Sequence, residues 1–422
     1  MNAHRVLVVD DSAFMRKILS DIISADPNFE IVATAANGRE ALESVTQWKP
    51  DVITMDLEMP EMNGLEALRQ IMRIYRAPVI MLSSISDDGA RETIKALQYG
   101  AFDFIRKPSG PLSPDIHSVG EQLLEKLRIA VMTKRQTPVS QTPQKPAAAA
   151  AKAMENLKKV LKPRKPAKPP FSNKEIEEAP PATKKTKDTA KKPDAAKLSV
   201  LQPDESFSLD SFDDMELDAP RPKAMLKPTS TFRHLIAIGT STGGPRALHE
   251  VISALPGNLP APVLVVQHMP PKFTRSLAQR LDNFSSVHVR EAEHNERVYA
   301  GTVYIAPGGY HMRLSKDAGG YLIKLSQEPP QGGHRPSVDI MFESCAAFPE
   351  LKRHAVIMTG MGSDGVKGMR AINESGGENA IAEAEESCIV YGMPRSAVEA
   401  GVAKSVMPLR QIAPALIEAV RG

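Results

Sequence analysis

Residues 234–248 read HLIAIGTSTGGPRAL. A run of apolar residues breaks at Gly239 into the glycine-rich segment GTSTGG, and an apolar helical pattern resumes after it. A strand followed by a tight turn and a helix start would place the Ser241 hydroxyl on a sharp loop beside free backbone N–H groups, which favour developing negative charge. The pattern is therefore compatible with a presented serine nucleophile.

The same stretch is compatible with two other roles. A dinucleotide site requires G-x-G-x-x-G and an acidic residue about 20 residues further on, where it holds a ribose. Here the next strand-like run, residues 261–266, ends in Gln267-His268 and supplies no acid. From this stretch alone, a catalytic serine and a structural or phosphate-binding turn remain equally open.

The composition sets limits on the fold and the compartment. A chain of 422 residues is long enough for two domains, each with its own core. Its two cysteines, Cys345 and Cys388, form no C-x-x-C pair, which favours a reducing compartment and argues against a cysteine-based metal site. The N-terminus lacks a signal-peptide pattern and no apolar run reaches membrane-spanning length. We therefore expect a cytoplasmic protein without direct membrane insertion.

The charge distribution argues against a nucleic-acid partner. The formal net charge is +3, but the excess of Lys and Arg lies in residues 131–230, so the rest of the chain is net acidic. No helix-turn-helix, zinc or aromatic-plus-basic pattern occurs outside that segment. We expect no nucleic acid among the partners.

Residues 1–130 alternate strand-like apolar runs with amphipathic helical patterns five times, which predicts a (βα)5 domain. The strands are predicted at 5–9, 30–35, 51–55, 78–83 and 102–106, and the last helix at 119–132. Such alternation is typical of a parallel sheet covered by helices on both faces, with functional residues at the carboxyl ends of the strands.

Acidic residues and one lysine follow three of these strands. Asp10 and Asp11 follow the first, Asp56 the third and Lys107 the fifth. Converging carboxylates repel one another unless a hard divalent cation such as Mg²⁺ joins them, and a lysine nearby supplies positive charge for a phosphate. In such a site one carboxylate can attack phosphorus and become an acyl phosphate.

Four motifs in this region, VLVVDDSAFMRKIL, VITMDLEMPEMNGLEAL, PVIMLSSIS and GAFDFIRKP, resemble the receiver domain of two-component response regulators. The resemblance covers residues 1–125 and implies a flavodoxin-like fold, a histidine kinase as phosphodonor and control by phosphorylation. The residues to which it assigns roles are Asp56 as phosphoacceptor, Asp10, Asp11, Asp56 and the backbone carbonyl of Glu58 around Mg²⁺, Lys107 as phosphoryl contact, Ser83 as switch hydroxyl and Phe104 as switch aromatic.

Residues 131–230 are rich in proline, lysine and alanine and contain no glycine. Low apolar content cannot offset the ordering entropy, which predicts a disordered linker extended by proline. Within it, residues 147–161 are compatible with a transient helix. Residues 198–218 interleave acidic and apolar side chains, which fits either a docking motif that folds on a partner or a solvated acidic spacer.

Residues 231–422 resume the strand and helix alternation and predict a second α/β domain, doubly wound around a mostly parallel sheet with added hairpins. The predicted strands are 234–239, 262–267, 354–359 and 379–384. An insert between them, with strands 287–290, 302–306 and 321–325 and the turn PGGY at 307–310, is expected to be antiparallel.

A base and an orienting acid for Ser241 are expected at the ends of neighbouring strands. His268 follows strand 262–267, and Asp364 lies in a second glycine-rich turn after strand 354–359. Backbone N–H groups of residues 360–362 are candidates for holding an oxyanion. His334, in QGGHRPSVD, is the competing histidine because its loop can line a cleft. An α/β-hydrolase has its acid before its histidine in the sequence. Because Asp364 comes after His268, that fold is disfavoured.

IGTSTGGPRAL, VVQHMP, HRPSVDIMF and MTGMGSDGVKGM resemble the catalytic domain of the chemotaxis receptor methylesterases, the CheB family, over residues 232–418. The resemblance implies a triad of Ser241, His268 and Asp364, an oxyanion donor in the Met361 N–H, and a further contribution from Thr242. It also implies demethylation of glutamate methyl esters on the cytoplasmic domains of chemoreceptors with release of methanol, deamidation of receptor glutamines, and no cofactor for the hydrolase.

In this family the receiver covers the active site until it is phosphorylated, but the linker is usually far shorter than residues 131–230. Three other interpretations remain open on the sequence. The chain can be a homologous esterase or deamidase in a signalling pathway other than chemotaxis, or a phosphorylation-dependent docking scaffold. A nucleic-acid-binding response regulator is the third, and it lacks a recognition element.

Overall fold

The computed structural model describes residues 3–84, 86–107, 116–136 and 229–421. Within these ranges the chain forms two α/β domains, each built on its own parallel sheet. No helix in the described ranges is both long enough and apolar enough to cross a membrane. The predicted linker lies outside the described residues except at its two ends, and so do residues 147–161 and 198–218 within it.

The N-terminal domain has five parallel strands in the order β2-β1-β3-β4-β5. The strands are β1 His4–Val9, β2 Phe29–Ala35, β3 Val52–Asp56, β4 Val79–Ser83 and β5 Asp103–Arg106, and the helices are α1 Ala13–Ser24, α2 Gly38–Trp48, α3 Gly64–Ile74, α4 Asp87–Gln98 and α5 Ile116–Gln136. The predicted (βα)5 architecture is confirmed. Helix α5 continues past residue 130, where we predict the domain to end.

Local sequence explains where these elements begin. The side chains that cap helices by accepting a backbone N–H belong to Ser12, Asn37, Asn63 and Ser86. Helix α3 starts directly against the end of β3, because a Cβ atom on Gly64 would lie 1.9 Å from the carbonyl oxygen of Asp56. Only glycine allows this close approach, which brings the loop after Asp56 back over the sheet.

The C-terminal domain contains a seven-stranded parallel sheet in the order β14-β13-β12-β6-β7-β9-β8 and a separate hairpin of β10 and β11. The strands are β6 His234–Thr240, β7 Val263–Gln267, β8 His288–Glu291, β9 Thr302–Ile305, β10 His311–Asp317, β11 Gly320–Ser326, β12 Lys352–Ile357, β13 Asn379–Glu383 and β14 Ser405–Met407. The helices are α6 Gly244–Ser253, α7 Phe273–Phe284, α8 Val338–Ala346, α9 Val366–Glu374, α10 Met393–Glu399 and α11 Leu409–Arg421. The α/β fold predicted for this region is confirmed.

The antiparallel pairing predicted for the insert is wrong for two of its three strands. Strand β8 pairs in parallel with β9, and β9 pairs in parallel with β7, so both extend the main sheet. Strand β8 lies at the edge of the sheet and alternates buried and exposed residues, which is the same pattern that an antiparallel strand shows. The PGGY turn precedes β10 and does not join a hairpin, because β10 pairs with β11.

The two domains pack against each other through α4 and β5 of the first and α7 of the second. The rings of Phe104 and Phe273 stack with their centroids 4.6 Å apart. Beside them Arg280 Nε donates to Gln98 Oε1 over 2.9 Å. Because Phe104 belongs to β5, the edge strand of the N-terminal sheet, this contact places the β5 edge of that sheet against the C-terminal domain.

Candidate active site

Ser241 lies in the turn between β6 and α6, at the centre of the seven-stranded sheet. Its backbone N–H donates to the carbonyl of Thr359 over 3.0 Å, and its own carbonyl accepts from Gly244 N over 2.8 Å. Gly243 has a left-handed φ of 81°, and a Cβ atom on Gly244 would lie 1.9 Å from Gln267 Oε1. Both glycines are needed for a turn this tight.

His268 follows β7, the strand that pairs with β6 on one side. Its backbone N–H donates to the carbonyl of Thr240 over 3.1 Å. The buried amide of Gln267 donates from Nε2 to the carbonyl of Ser241 over 2.9 Å and to that of His268 over 3.1 Å. Gln267 thus fixes the ends of the two strands relative to each other.

Asp364 follows β12, which pairs with β6 on the other side. Its Oδ2 atom lies 2.8 Å from Nε2 of His268, and both side chains are almost fully buried. The same carboxylate accepts from Ser337 Oγ over 2.9 Å and from the N–H groups of Val338 and Asp339 over 2.7 and 2.9 Å. Burial opposes ionisation, but the hydrogen bonds from His268 and these N–H groups outweigh it and lower the pKa of Asp364 to about 2.

Asp364 and Asp339 are linked through two helix starts. The carboxylate of each residue accepts hydrogen bonds from the helix start next to the other residue. Asp364 binds the first N–H groups of α8, in which Asp339 lies. In return Asp339 Oδ1 accepts from the N–H groups of Gly365 and Gly368, at the start of α9, over 2.9 and 2.8 Å. These reciprocal contacts satisfy N–H groups that a helix start leaves unpaired and fix Asp364 in place.

The ring of His268 has one nitrogen that is bonded and one that is not. Because the carboxylate of Asp364 only accepts, Nε2 carries the proton and Nδ1 keeps its lone pair. Nδ1 is buried and has no hydrogen-bond partner in the described part of the chain. The structure brings Ser241, His268 and Asp364 to one cleft, although no hydrogen bond joins Ser241 to His268 in it.

The predicted oxyanion groups differ in availability. The N–H of Gly360 donates to the carbonyl of Val390 over 3.0 Å and is therefore already used. Within the described residues, the N–H groups of Met361 and Thr242 donate to no other protein group. The hydroxyl of Thr242 donates instead to Oδ2 of Asp103 in the N-terminal domain, over 2.6 Å.

The cleft in which these residues lie has a volume of about 930 Å³ and is bordered by both domains. Ser241, His268 and Asp364 lie on its C-terminal side, and Asp103 and Lys126 on its N-terminal side. Asp103 and Lys126 form an ion pair. The N-terminal domain therefore forms one wall of the cleft that contains Ser241.

A second cluster of charged residues lies at the carboxyl end of the N-terminal sheet. Carboxylate oxygens of Asp10, Asp11 and Asp56 lie within 4.8 Å of one another. Lys107 Nζ is 2.8 Å from Asp10 and 2.7 Å from Asp56. Burial raises the pKa of Asp56 to about 6, although the Lys107 ammonium acts in the opposite direction. The three carboxylates carry more negative charge than the single Lys107 ammonium neutralises. Their oxygen atoms are ligands that fit Mg²⁺.

Two other residues with predicted receiver roles lie at strand ends: Glu58 follows β3, and Ser83 is the last residue of β4. Glu58 Oε1 accepts from Ser84 Oγ over 2.9 Å. The buried Ser83 hydroxyl accepts from Thr93 Oγ1 over 2.6 Å and donates towards the carbonyl of Ser84 over 3.1 Å. Ser83 is therefore bonded to helix α4, the helix that contacts the C-terminal domain.

Two parts of the chain match known protein families. Residues 236–416 match CheB methylesterase, and residues 6–113 match the response regulator receiver domain. Over 420 residues the chain is 41% identical to the protein-glutamate methylesterase/protein-glutamine glutaminase of Geobacillus kaustophilus strain HTA426, which covers 100% of this chain and 99% of that protein. The chain belongs to the CheB methylesterase family. The protein of the same name from Bacillus subtilis strain 168 is 41% identical over 418 residues, covering 99% of this chain and 98% of that protein.

Each half also has solved relatives. The CheB methylesterase catalytic domain of Thermotoga maritima is 46% identical, covers 45% of this chain and 100% of its own, and has a TM-score of 0.44. The response regulator domain of the same CheB is 52% identical, covers 31% of this chain and 98% of its own, and has a TM-score of 0.29. The two full-length relatives, from Geobacillus kaustophilus and Bacillus subtilis, are both named protein-glutamate methylesterase/protein-glutamine glutaminase, which favours the esterase over a docking scaffold.

Three polar residues that contact the proposed site residues lie outside the predicted set. Gln267 and Ser337 carry a signal in the sequence, because a polar residue at the end of an apolar strand and a serine before a helix are candidates for buried hydrogen bonds. Asp103 carries none, since its contact with Thr242 joins residues 139 positions apart in two domains.

Proposed function

We propose that the C-terminal domain is a serine hydrolase that demethylates glutamyl methyl esters on the cytoplasmic domains of chemoreceptors. The observation that carries this proposal is the buried pair of His268 and Asp364, which lie after the two strands that flank β6, the strand before Ser241. Nε2–H of His268 faces a carboxylate, while Nδ1 has no hydrogen-bond partner among the described residues, which is the arrangement of a general base. Membership of the CheB family supplies the substrate class.

The first half of the reaction acylates the serine. Ser241 Oγ attacks the ester carbonyl carbon while His268 Nδ1 accepts the hydroxyl proton. Negative charge develops on the carbonyl oxygen, where the N–H groups of Met361 and Thr242 donate. When the tetrahedral intermediate collapses, the bond to the methoxy oxygen breaks and His268 returns the proton to it. Methanol leaves, and the glutamyl group remains esterified to Ser241.

The second half releases the product. His268 takes a proton from water, the resulting hydroxide adds to the acyl carbon, and Ser241 Oγ leaves with that proton. The glutamate carboxylate is freed. Asp364 stays ionised and stabilises the imidazolium in both halves. With a glutamine substrate the same steps release ammonia, so deamidation requires no further residue.

The N-terminal domain acts as a receiver that accepts a phosphoryl group from a histidine kinase on the Asp56 carboxylate. Residues that would hold Mg²⁺ are Asp10, Asp11, Asp56 and the backbone carbonyl of Glu58. When bound, Mg²⁺ would neutralise negative charge on the phosphoryl oxygens. Lys107 adds a positive charge next to Asp56.

Control of the hydrolase follows from the contacts between the domains. With Asp103 bonded to Thr242 and Phe104 stacked on Phe273, the receiver forms one wall of the cleft and restricts access to Ser241. Ser83 and Phe104 are the switch hydroxyl and switch aromatic, and their rearrangement on phosphorylation of Asp56 weakens these contacts. Receptor helices then reach Ser241.

The test is release of labelled methanol from methylated receptor membranes, measured with and without a small-molecule phosphodonor. Wild type is expected to release methanol, and faster with the phosphodonor. Ser241→Ala is expected to release none above background, while Ser230→Ala, which alters an exposed serine, is expected to match wild type. Release by Ser241→Ala at the wild-type rate would exclude the proposed nucleophile.

A further inference from the structure

The imidazole of His334 lies flat on that of His268. Their ring centroids are 3.8 Å apart and their planes differ by 6°. At this separation the two rings are in van der Waals contact over a whole face. One face of the His268 ring is therefore covered by a second aromatic ring from a different part of the chain.

The backbone that presents His334 is a tight turn with fixed geometry. Gln331 N donates to the carbonyl of His334 over 3.0 Å, and His334 N donates to the carbonyl of Gln331 over 2.9 Å. Gly332 and Gly333 between them adopt left-handed φ angles of 58° and 85°. Because other residues rarely adopt these angles, the two glycines make the turn possible.

The turn is also anchored on its other side. Arg335 Nη1 donates to the carbonyls of Gln327 and Glu328 over 3.0 and 2.9 Å. The carbonyl of Arg335 accepts from Gly309 N over 3.1 Å. These contacts fix the turn to the loops that flank the β10–β11 hairpin, so the ring of His334 is held from outside the triad.

The chain then continues directly to the groups that hold Asp364. Two residues after Arg335 comes Ser337, which donates to Asp364, and the first N–H groups of α8 follow. One continuous segment, residues 331–339, therefore contacts both His268 and Asp364. A shift of this segment would therefore disturb the positions of His268 and Asp364 together.

His334 is suited to a position beside a base because it stays uncharged. Burial, together with repulsion from His268, lowers the pKa of His334 to about 4. Near neutral pH it thus places no charge next to His268. Its side chain has no hydrogen-bond partner in the described part of the chain, so its contact with His268 is through the ring face.

We propose that His334 is a positioning residue for His268, an inference that rests on the proposed function. Its ring holds the His268 imidazole in the plane in which Nε2 points at Asp364, and Nδ1 then remains available to Ser241. Without this ring the imidazole gains freedom to rotate out of that plane. Proton transfer is slowed as a result. His334 also lines the cleft, but its ring contact acts on the base, so kcat falls more than substrate binding weakens.

The experiment compares two substitutions in the full chain, activated by a phosphodonor, by their kcat and KM for methanol release. His334→Phe keeps a flat ring and is expected to stay within about threefold of the wild-type kcat. His334→Ala removes the ring and is expected to lose roughly 10- to 100-fold in kcat, with a much smaller change in KM, as for other small misplacements of a catalytic group. The matched control is His288→Ala, an exposed histidine on the edge strand β8, which is expected to behave as wild type.

Each result decides the proposal. Loss of kcat in His334→Ala that His334→Phe restores supports it, provided that circular dichroism shows both variants folded. Wild-type kcat in His334→Ala overturns it, and so does a His334→Phe variant that is folded but as slow as His334→Ala, because the nitrogen atoms would then matter. Methanol release by Ser241→Ala at the wild-type rate would instead overturn the proposed function.

Discussion

The hydroxyl of Thr242 donates a 2.6 Å hydrogen bond to Oδ2 of Asp103. Thr242 follows the proposed nucleophile, and Asp103 begins the receiver strand that carries Phe104. The same carboxylate pairs with Lys126, and its other oxygen accepts the N–H of Phe104 over 2.8 Å. One side chain of the receiver thus connects Phe104, the proposed switch aromatic, to the turn that contains Ser241.

Asp103→Ala is expected to raise the activity measured without a phosphodonor. The hydrogen bond to a charged acceptor stabilises the covered cleft by about 1.5–3 kcal/mol, so its loss predicts an increase of roughly tenfold or more in basal methanol release. Asp88→Ala is the matched control, since Asp88 is an exposed acid on α4 that pairs with Arg91. Equal basal rates in wild type and Asp103→Ala would show that this contact does not restrain the enzyme.

Asp56→Asn and removal of divalent cations are expected to abolish activation but not hydrolysis. The amide cannot form an acyl phosphate, and EDTA deprives the carboxylate cluster of the cation that phosphoryl transfer requires. Both treatments are measured by methanol release with and without a phosphodonor. An Asp56→Asn protein that is still activated, or a basal rate that EDTA abolishes, contradicts the assignment of separate sites.

Ser337→Ala is expected to lower kcat by roughly tenfold, because Asp364 loses one hydrogen bond from a group that helps to orient it. Asp364→Asn is expected to cost about 10³- to 10⁴-fold, as loss of the orienting acid does in serine hydrolases. Ser344→Ala serves as the control, because this serine lies in the same helix α8 but bonds to Met341 and Leu314. The proposed role of Ser337 fails if Ser337→Ala and Ser344→Ala have the same kcat.

A buried pair of histidines predicts acid sensitivity of the C-terminal domain. His234 Nδ1 and His354 Nε2 are 3.0 Å apart, and burial lowers the pKa of both, that of His354 to about 4. Between about pH 6.5 and pH 4 the unfolded chain binds a proton at His354 that the native state does not. The free energy of unfolding therefore falls as the pH is lowered through this window, by about 3 kcal/mol at pH 4.

Hydrogen exchange of the β12 amides at several pH values measures this dependence, once corrected for intrinsic exchange rates. His354→Gln is expected to flatten it, whereas His288→Gln, on an exposed histidine, is expected to leave it as in wild type. Identical pH dependence in wild type and His354→Gln would show that the native imidazole titrates normally.

The sequence is sufficient to predict how the strands are arranged around Ser241. His268 and Asp364 follow apolar runs that became β7 and β12, and parallel strands end at the same edge of a sheet, so residues after them converge. The glycine spacing around residues 240–244 predicted the tight turn for the same physical reason, since only glycine fits there.

The sequence does not predict contacts that depend on how the two domains pack or on how a ring is oriented. His334 was a competitor for the role of base, and its stacking on His268 depends on a turn whose end is fixed by loops beside the β10–β11 hairpin. Asp103 gave no signal because its partner belongs to another domain. The direction of β8 was missed because an edge strand of a parallel sheet has the same alternation of exposure as an antiparallel one.

The central claim is that Ser241 carries the acyl group during turnover. The most direct measurement is rapid acid quenching of phosphodonor-activated enzyme during turnover of a methylated receptor peptide, followed by mass spectrometry of the enzyme peptide that contains Ser241. We expect an increase equal to the mass of the methylated receptor peptide less methanol, located on Ser241 and absent in Ser241→Ala. An acyl group on another residue, or methanol release by Ser241→Ala at the wild-type rate, would contradict it.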